Sequence, residues 1–273
     1  MKRIFACLAV AALLCAALFA FPGCAGNPYA GLVMIDLGLP QEHFGIAFRT
    51  GSDMTRRVED ITKTLLDEGK FAPLCEKYAI APVDAADYVP QADPCTTSDD
   101  YENIRARGKL VIGITDYKPM NYKDENGKWI GFDTEYAEMV CAELGVTAEF
   151  KPITWGNKEL ELAAGTIDCI WNGMTITDAL EQAADCTVPY MTNTQVAVVK
   201  ADMADTYRDL AALAGKKLTA EDGSAGASLI QENAALSGAF TPVEGQTDAL
   251  LAVAAGTADA AIVDMMLAKA LLG

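Results

Sequence analysis

Residues 163–177 read AAGTIDCIWNGMTIT, and residues 254–264 read AAGTADAAIVD. In each stretch a helix-like run rich in Ala and Leu stops at a glycine. A Thr-x-Asp turn follows, and a short apolar strand then ends on a polar residue able to hold a ligand. One supersecondary unit written twice predicts two similar α/β lobes facing each other. The length of 273 residues has room for both, since typical domains run to roughly 100–150 residues.

The formal charge of −17, with a pI near 4.4, is spread along the chain without any Lys/Arg block. That balance argues against nucleic acid and against docking on anionic lipid. At the N-terminus, Lys2 and Arg3 precede an apolar run over residues 4–21, and Pro22, Gly23 and Cys24 follow at once. Residues 1–24 therefore read as an export signal. A cysteine directly after a small residue at the end of such a run resembles a bacterial lipoprotein cleavage site, which makes Cys24 the expected lipid-bearing residue. Phe21 and Pro22 depart from the usual residues there. No further run of about 20 apolar residues follows, so nothing else is expected to span a bilayer.

Of eight cysteines, Cys7 and Cys15 fall in the signal and Cys24 at its end. Cys141, Cys169 and Cys186 sit in apolar or strand-like contexts and are expected as buried thiols. Cys75 and Cys95 flank a loop; in an exported protein both a disulfide and two free thiols remain open. No CxxC pair or Cys/His spacing points to a metal, and no cofactor is expected. The single histidine, His43, lies in the polar stretch PQEHFG and reads as a solvated turn residue.

Strands are expected at residues 32–37 and 44–48, then helices at 53–68 and 71–78. In the first helix Met54, Val58, Ile61 and Leu65 recur at three- and four-residue spacing and Gly69 marks the stop. Residues 81–100, rich in Pro, Asp, Ala and Thr, read as a linker. Strands at 110–115, 147–152, 169–171 and 195–199 then alternate with helices at 133–144, 157–164 and 178–184. Residues 117–131 form a loop with a hairpin-like DENGK turn. The remainder reads as a helix at 209–214, a strand at 217–220, a helix at 227–236, a helix-like run at 248–255, a strand at 260–263 and a helix at 265–272. This alternation implies mostly parallel sheets with helices on their faces, and ligands bind beyond the carboxyl ends of such strands.

The run GKLVIGITDYKPMNYKDENGKWIGFDTEYAEMVCAELGV, followed by WNGMTITDALEQAADCTVPY, resembles the polar-amino-acid solute-binding proteins of bacterial ABC importers. GKKLTAEDGSAG and GTADAAIVD continue the likeness into the second lobe. The resemblance implies a periplasmic-binding-protein type II fold, two α/β/α lobes joined by a two-strand hinge. The order differs from the family's, because the GIAFRTG strand and the helices ending in EKYAI normally come last. Joining Gly273 to Asn27 restores that order, so the sequence resembles a circular permutant resealed through the 81–100 linker. Permutation is tolerated where termini lie close together. On this reading lobe 1 spans residues 44–200, including the linker, and lobe 2 combines 27–43 with 201–273. Strands near 45–49 and 195–200 form the hinge.

Carried over residue by residue, the resemblance assigns Tyr117 to stacking on the ligand, with Met120 where a second aromatic is common. Asn172, Gly173 and Thr175 match the segment that holds the amino and carboxylate groups. Ser224 and Ala225 match the helix N-terminus that donates N–H groups to the carboxylate, and Asp264 matches the acid that accepts the ammonium. Taken alone, Thr175 also reads as a turn cap, Asn172 as the end of a strand, and Asp264 as the N-cap of the last helix. Leu180 stands where the family usually places an Arg for the α-carboxylate, between the acids Asp178 and Glu181. Loss of that bidentate clamp points to weaker carboxylate binding or a different ligand. Trp171, Tyr117 and Asp264 suit a cationic or amine-bearing ligand.

The resemblance thus implies a lipid-anchored, non-enzymatic receptor that binds a small amino acid, works as a monomer and delivers its ligand to an ABC permease. Another small amine or zwitterion is the alternative ligand. A dehydratase-like enzyme on the same fold is the alternative activity.

Overall fold

The computed structural model describes residues 26–81, 83–92 and 98–273. The export signal, Cys24, Cys95 and the middle of the expected linker lie outside the described residues. No helix among the described residues is long and apolar enough to cross a membrane.

The strands build two main sheets. One has six strands in the core order Thr147–Pro152, Lys109–Ile114, Cys169–Thr175, Glu42–Arg49 and Ala184–Cys186, with Met191–Asn193 also on Glu42–Arg49. The other has five, in the order Leu32–Asp36, Gln195–Lys200, Ala260–Asp264, Leu218–Glu221 and Phe240–Val243. Each keeps three parallel neighbours, as the strand–helix alternation predicts. Each also carries antiparallel strands, Glu42–Arg49 in one and Gln195–Lys200 in the other, so the sheets are mixed rather than mostly parallel. The central strands are apolar along their whole length because both faces are covered. Val196, Ala197, Val198 and Val199 are all fully buried, and burying each valine contributes about 1.5–3 kcal/mol.

Gln195–Lys200, expected with the first lobe, pairs instead with Leu32–Asp36 and Ala260–Asp264. Its alternation-free apolar run fits either sheet, and the register with Asp264 is what decides. Glu42 and His43 likewise belong to the six-stranded sheet, and His43 lies exposed in a strand rather than in a turn. The chain therefore crosses between the sheets at residues 37–41 and at Thr194, not along the expected hinge strands. The two crossings touch, since Thr194 Oγ1 donates to the Pro40 carbonyl at 3.2 Å.

Several elements depart from expectation. Asp100, the last residue of the expected linker, opens the helix Asp100–Arg107, which ends at Gly108 in the left-handed conformation. Tyr88, in the same expected linker, is 2% exposed, and the Gln91 side chain donates to the Cys186 carbonyl at 2.8 Å. The short strands Ala184–Cys186, Met191–Asn193 and Phe240–Val243 escape the sequence reading, the last because Pro242 marks it as a non-strand. Phe240–Val243 is the edge strand of its sheet, where a proline is tolerated. The DENGK turn does close a hairpin, between Tyr122–Lys123 and Trp129–Ile130.

Beneath the six-stranded sheet, helix Phe132–Leu144 presents Phe132 and Tyr136 to an aromatic cluster. Tyr136 meets Phe71 and Trp171 edge to face, each with ring centres 4.7 Å apart. Such edge contacts add about 0.5–1.5 kcal/mol beyond burial. The cysteines Cys75, Cys141, Cys169 and Cys186 are buried free thiols.

Candidate functional site

A cavity of about 220 Å³ opens where the carboxyl ends of the two sheets face each other. It is lined from the six-stranded side by Tyr117, Trp155, Lys158 and the Gly173–Thr175 backbone. From the other side it is lined by Glu221, Ser224, Ala225, Gln246 and Asp264. Among the described residues no group of His, Cys, Asp and Glu is placed to hold a metal.

Asp264 ends the strand Ala260–Asp264 and is 6% exposed. Its carboxylate accepts from Asn193 Nδ2 at 2.6 Å, from Gln195 Nε2 at 2.7 Å and from Gln246 Nε2. Its backbone N–H donates to Gln246 Oε1 at 2.9 Å, so Gln246 grips it twice. Burial, then the nearby Glu42 charge, pushes the carboxyl up to about 7, against the lowering effect of the amide donors. Glu42 is tied into the same network: its Oε2 accepts from Gln195 Nε2 at 2.9 Å and from Thr175 Oγ1 at 3.2 Å. The sequence had also allowed Asp264 as a side-chain N-cap of the last helix, but its side chain makes no cap bond there.

Glu221 ends the neighbouring strand Leu218–Glu221 and is 3% exposed, with Oε1 lacking any hydrogen-bond partner. Burial first, and then the Asp264 charge, pushes it up to about 8; the Lys158 charge opposes the shift. Lys158 opens the helix Lys158–Ala163 and is 8% exposed. Its Nζ donates to the Gly223 carbonyl at 2.9 Å and lies 5.0 Å from the centre of the Trp155 ring. It thereby ties the two sides of the cavity together. The backbones also meet there, since a Cβ on Gly223 would fall 2.7 Å from Gly156 Cα.

The helix Ala225–Glu232 points its N-terminus at the cavity. Ser224 is its N-cap, with Oγ accepting from the Ala227 N–H at 3.1 Å. The first N–H groups of a helix have no intrahelical acceptor, and with the helix dipole they favour an anion. Tyr117 is 3% exposed, and burial first, then the nearby Asp264 charge, pushes its hydroxyl well above the usual phenol range, though it is not aligned for a hydrogen bond.

The structure brings Tyr117, Gly173, Thr175, Ser224, Ala225 and Asp264 together around the cavity, but gives some of them other duties. Asn172 lines it too, yet its side chain is consumed: Oδ1 accepts from the Thr115 N–H and Oγ1, and Nδ2 donates to Asn121 Oδ1 at 2.7 Å. The Gly173 N–H donates to the buried Asp133 at 2.6 Å, and at φ +55° a Cβ there would meet the Tyr117 ring at 2.6 Å. Trp171 does not line the cavity. Strand alternation sends it with Cys169 into the aromatic core, away from Ile170 and Met174. Met120 is likewise fully buried outside the lining residues. Leu180 does line the cavity, at 2% exposure, so an apolar wall stands where a guanidinium was expected.

The sequence reading missed Lys158, Glu221 and Gln246. The signal available was positional: Glu221 closes a strand at its carboxyl end, just before a helix N-terminus, where ligands gather in α/β sheets.

The chain is similar to the L-cystine-binding protein TcyJ of Escherichia coli K12, 32% identical over 116 residues, which is 42% of this chain and 44% of that protein. It is 30% identical over 91 residues to the cyclohexadienyl dehydratase of Pseudomonas aeruginosa, covering 33% of this chain and 34% of that one. The match thus spans less than half the length of these curated relatives. Among solved structures, the arginine-bound form of truncated ArgBP from T. maritima superposes with a TM-score of 0.60 at 30% identity. It covers 63% of this chain and 80% of that one. Residues 110–266 match the family described as bacterial extracellular solute-binding proteins, family 3, and the chain belongs to that family.

Proposed function

We propose that the protein binds a small amino acid in the cavity between its two sheets and presents it to an ABC importer permease. The observation that carries this reading is the opposition of charges across one small cavity. Asp264, fed by three side-chain amides, offers a seat for an ammonium. The N-terminus of Ala225–Glu232 and Lys158 Nζ, facing it, offer one for a carboxylate. Lys158 takes the role of the Arg replaced by Leu180. A buried zwitterion needs both partners because desolvation of its charges is costly. The relatives that bind cystine or arginine support the ligand class.

The two sheets with their helices are the two lobes, which close as a hinge about residues 37–41 and Thr194, and the ligand favours closure by touching both. The chain order is a circular permutation of the family's. Its support is that helix Met265–Leu272 packs beside strand Leu32–Asp36, where the family's continuous chain would run on. Residues 1–24 direct export, and Cys24 carries the lipid anchor. The protein is a receptor and not an enzyme. The second reading, a dehydratase-like activity, draws on the cyclohexadienyl dehydratase relative and on two cavity acids held near neutral pKa.

Thermal unfolding of the purified protein against each of the twenty amino acids tests the proposal. One or a few should raise the melting temperature, and a flat response to all twenty sinks the reading. Recovery of the bound ligand chemically unchanged after prolonged incubation separates a receptor from an enzyme.

A further inference from the structure

Besides Tyr117, four ionisable side chains line the cavity: Lys158, Glu159, Glu221 and Asp264. Glu159 is 47% exposed on its side chain and lies 3.6 Å from Lys158, so water and that lysine serve it. Lys158 itself faces the carboxylate end, against Gly223 and the helix N-terminus. Asp264 accepts from Asn193, Gln195 and Gln246, and of these only Gln246 also lies near Glu221, where it opposes the upward push of burial. Glu221 is left over. Among the described residues it forms no ion pair, and its buried Oε1 has no hydrogen-bond partner.

We propose that Glu221 selects amino acids whose side chain carries a second cationic group, an ammonium or a guanidinium, separate from the α-ammonium taken by Asp264. This rests on the amino-acid-binding reading above and deepens it. A ligand with an uncharged side chain satisfies Asp264 and Lys158 but leaves Glu221 buried and unpaired, either ionised at a high cost or holding a proton with no acceptor. A side-chain cation removes that cost by direct pairing. Tyr117 lines the same cavity beside Asp264, and its ring gives a cation an aromatic face. Leu180 walls the cavity with apolar surface suited to a methylene stem.

The test is isothermal titration of the full purified protein with arginine, lysine and ornithine, and with the uncharged near-isosteres citrulline, glutamine and norleucine. It is repeated on Glu221→Gln. The wild type should favour the charged ligands by about tenfold or more, the factor expected from one charged hydrogen bond. In Glu221→Gln that ratio should fall to about threefold or less while citrulline still binds, which also shows that the variant is folded. A wild type that binds citrulline as tightly as arginine overturns the proposal without reference to any variant. So does a charge preference that survives in Glu221→Gln. If other amino acids bind and none of these six does, the selectivity proposal falls and the receptor reading stands. If none of the twenty binds, both fall.

Discussion

Glu221 makes a prediction that needs no ligand. The folded carboxyl is pushed from 4.5 to about 8, chiefly by burial, and one pKa unit corresponds to about 1.36 kcal/mol. The sign follows from proton counts. Below about pH 4.5 the group is protonated in both states and favours neither. Between about 4.5 and 8 the unfolded chain releases the proton while the folded protein keeps it, so folding weakens steadily as pH rises. Above about 8 both states are ionised and the full penalty stands. Glu221→Gln, nearly isosteric and always neutral, removes the penalty. The gain is at most about 1 kcal/mol at pH 5.5, about 3 at pH 7 and about 5 at pH 8.5. These are ceilings, because Asp264 titrates in the same range and ionises more readily once its neighbour is neutral. Urea unfolding of ligand-free wild type and variant at those three pH values measures the gap, and pH 5.5 stays clear of precipitation near the pI of 4.4. The gap should widen by about 2–3 kcal/mol from the lowest pH to the highest. A gap that does not change with pH, or a variant less stable than wild type at pH 8.5, refutes the argument that a buried, unpaired carboxyl stands there.

Three further outcomes follow from the same geometry. Lys158→Met keeps the stem packed on Trp155 but removes the charge, so ligand affinity measured by titration should drop about tenfold or more with little change in the unliganded melting temperature; unchanged affinity means that the carboxylate sits elsewhere. Gly223→Ala combines a left-handed residue at φ +70° with a Cβ 2.7 Å from Gly156 Cα. It should hold the cleft open, which small-angle scattering would report as no compaction on adding ligand, and normal compaction would refute it. Finally, Cys75, Cys141 and Cys186 are pushed up to about 11, 12 and 12 by burial, and Cys169 upward as well. All four should resist a thiol reagent at pH 8 until denaturant is added; mapping a fast-reacting native thiol to any of them contradicts their burial.

Much of the architecture was legible from the chain. Apolar runs such as QVAVVK and LVIGI have no alternation and can only be strands covered on both faces, and glycines close the helices that end at Gly108, Gly145 and Gly256. The doubled motif of residues 163–177 and 254–264 leads into strands whose last residues, Thr175 and Asp264, line the same cavity. What the sequence could not determine was which sheet takes a strand that fits both. Gln195–Lys200 is set by its register against Asp264 and Leu32–Asp36, a contact between residues more than sixty positions apart.

The direction of individual side chains also belonged to the tertiary structure. Trp171 and Gly173 sit in a motif that identifies the family, yet only the helix Phe132–Leu144 lying beneath the strand makes Trp171 a core residue. The sequence reading ends the strand at residue 171, with Asn172 closing it, but the strand runs on to Thr175; the role of Asn172 is decided by Thr115 and Asn121, which satisfy its side chain. Lys158 and Glu221 show the same limit from the other side. A lysine opening a helix and a glutamate before a turn read locally as solvated surface. Only the meeting of the two sheets' ends buries them, and burial is what makes an ordinary charge costly without a partner.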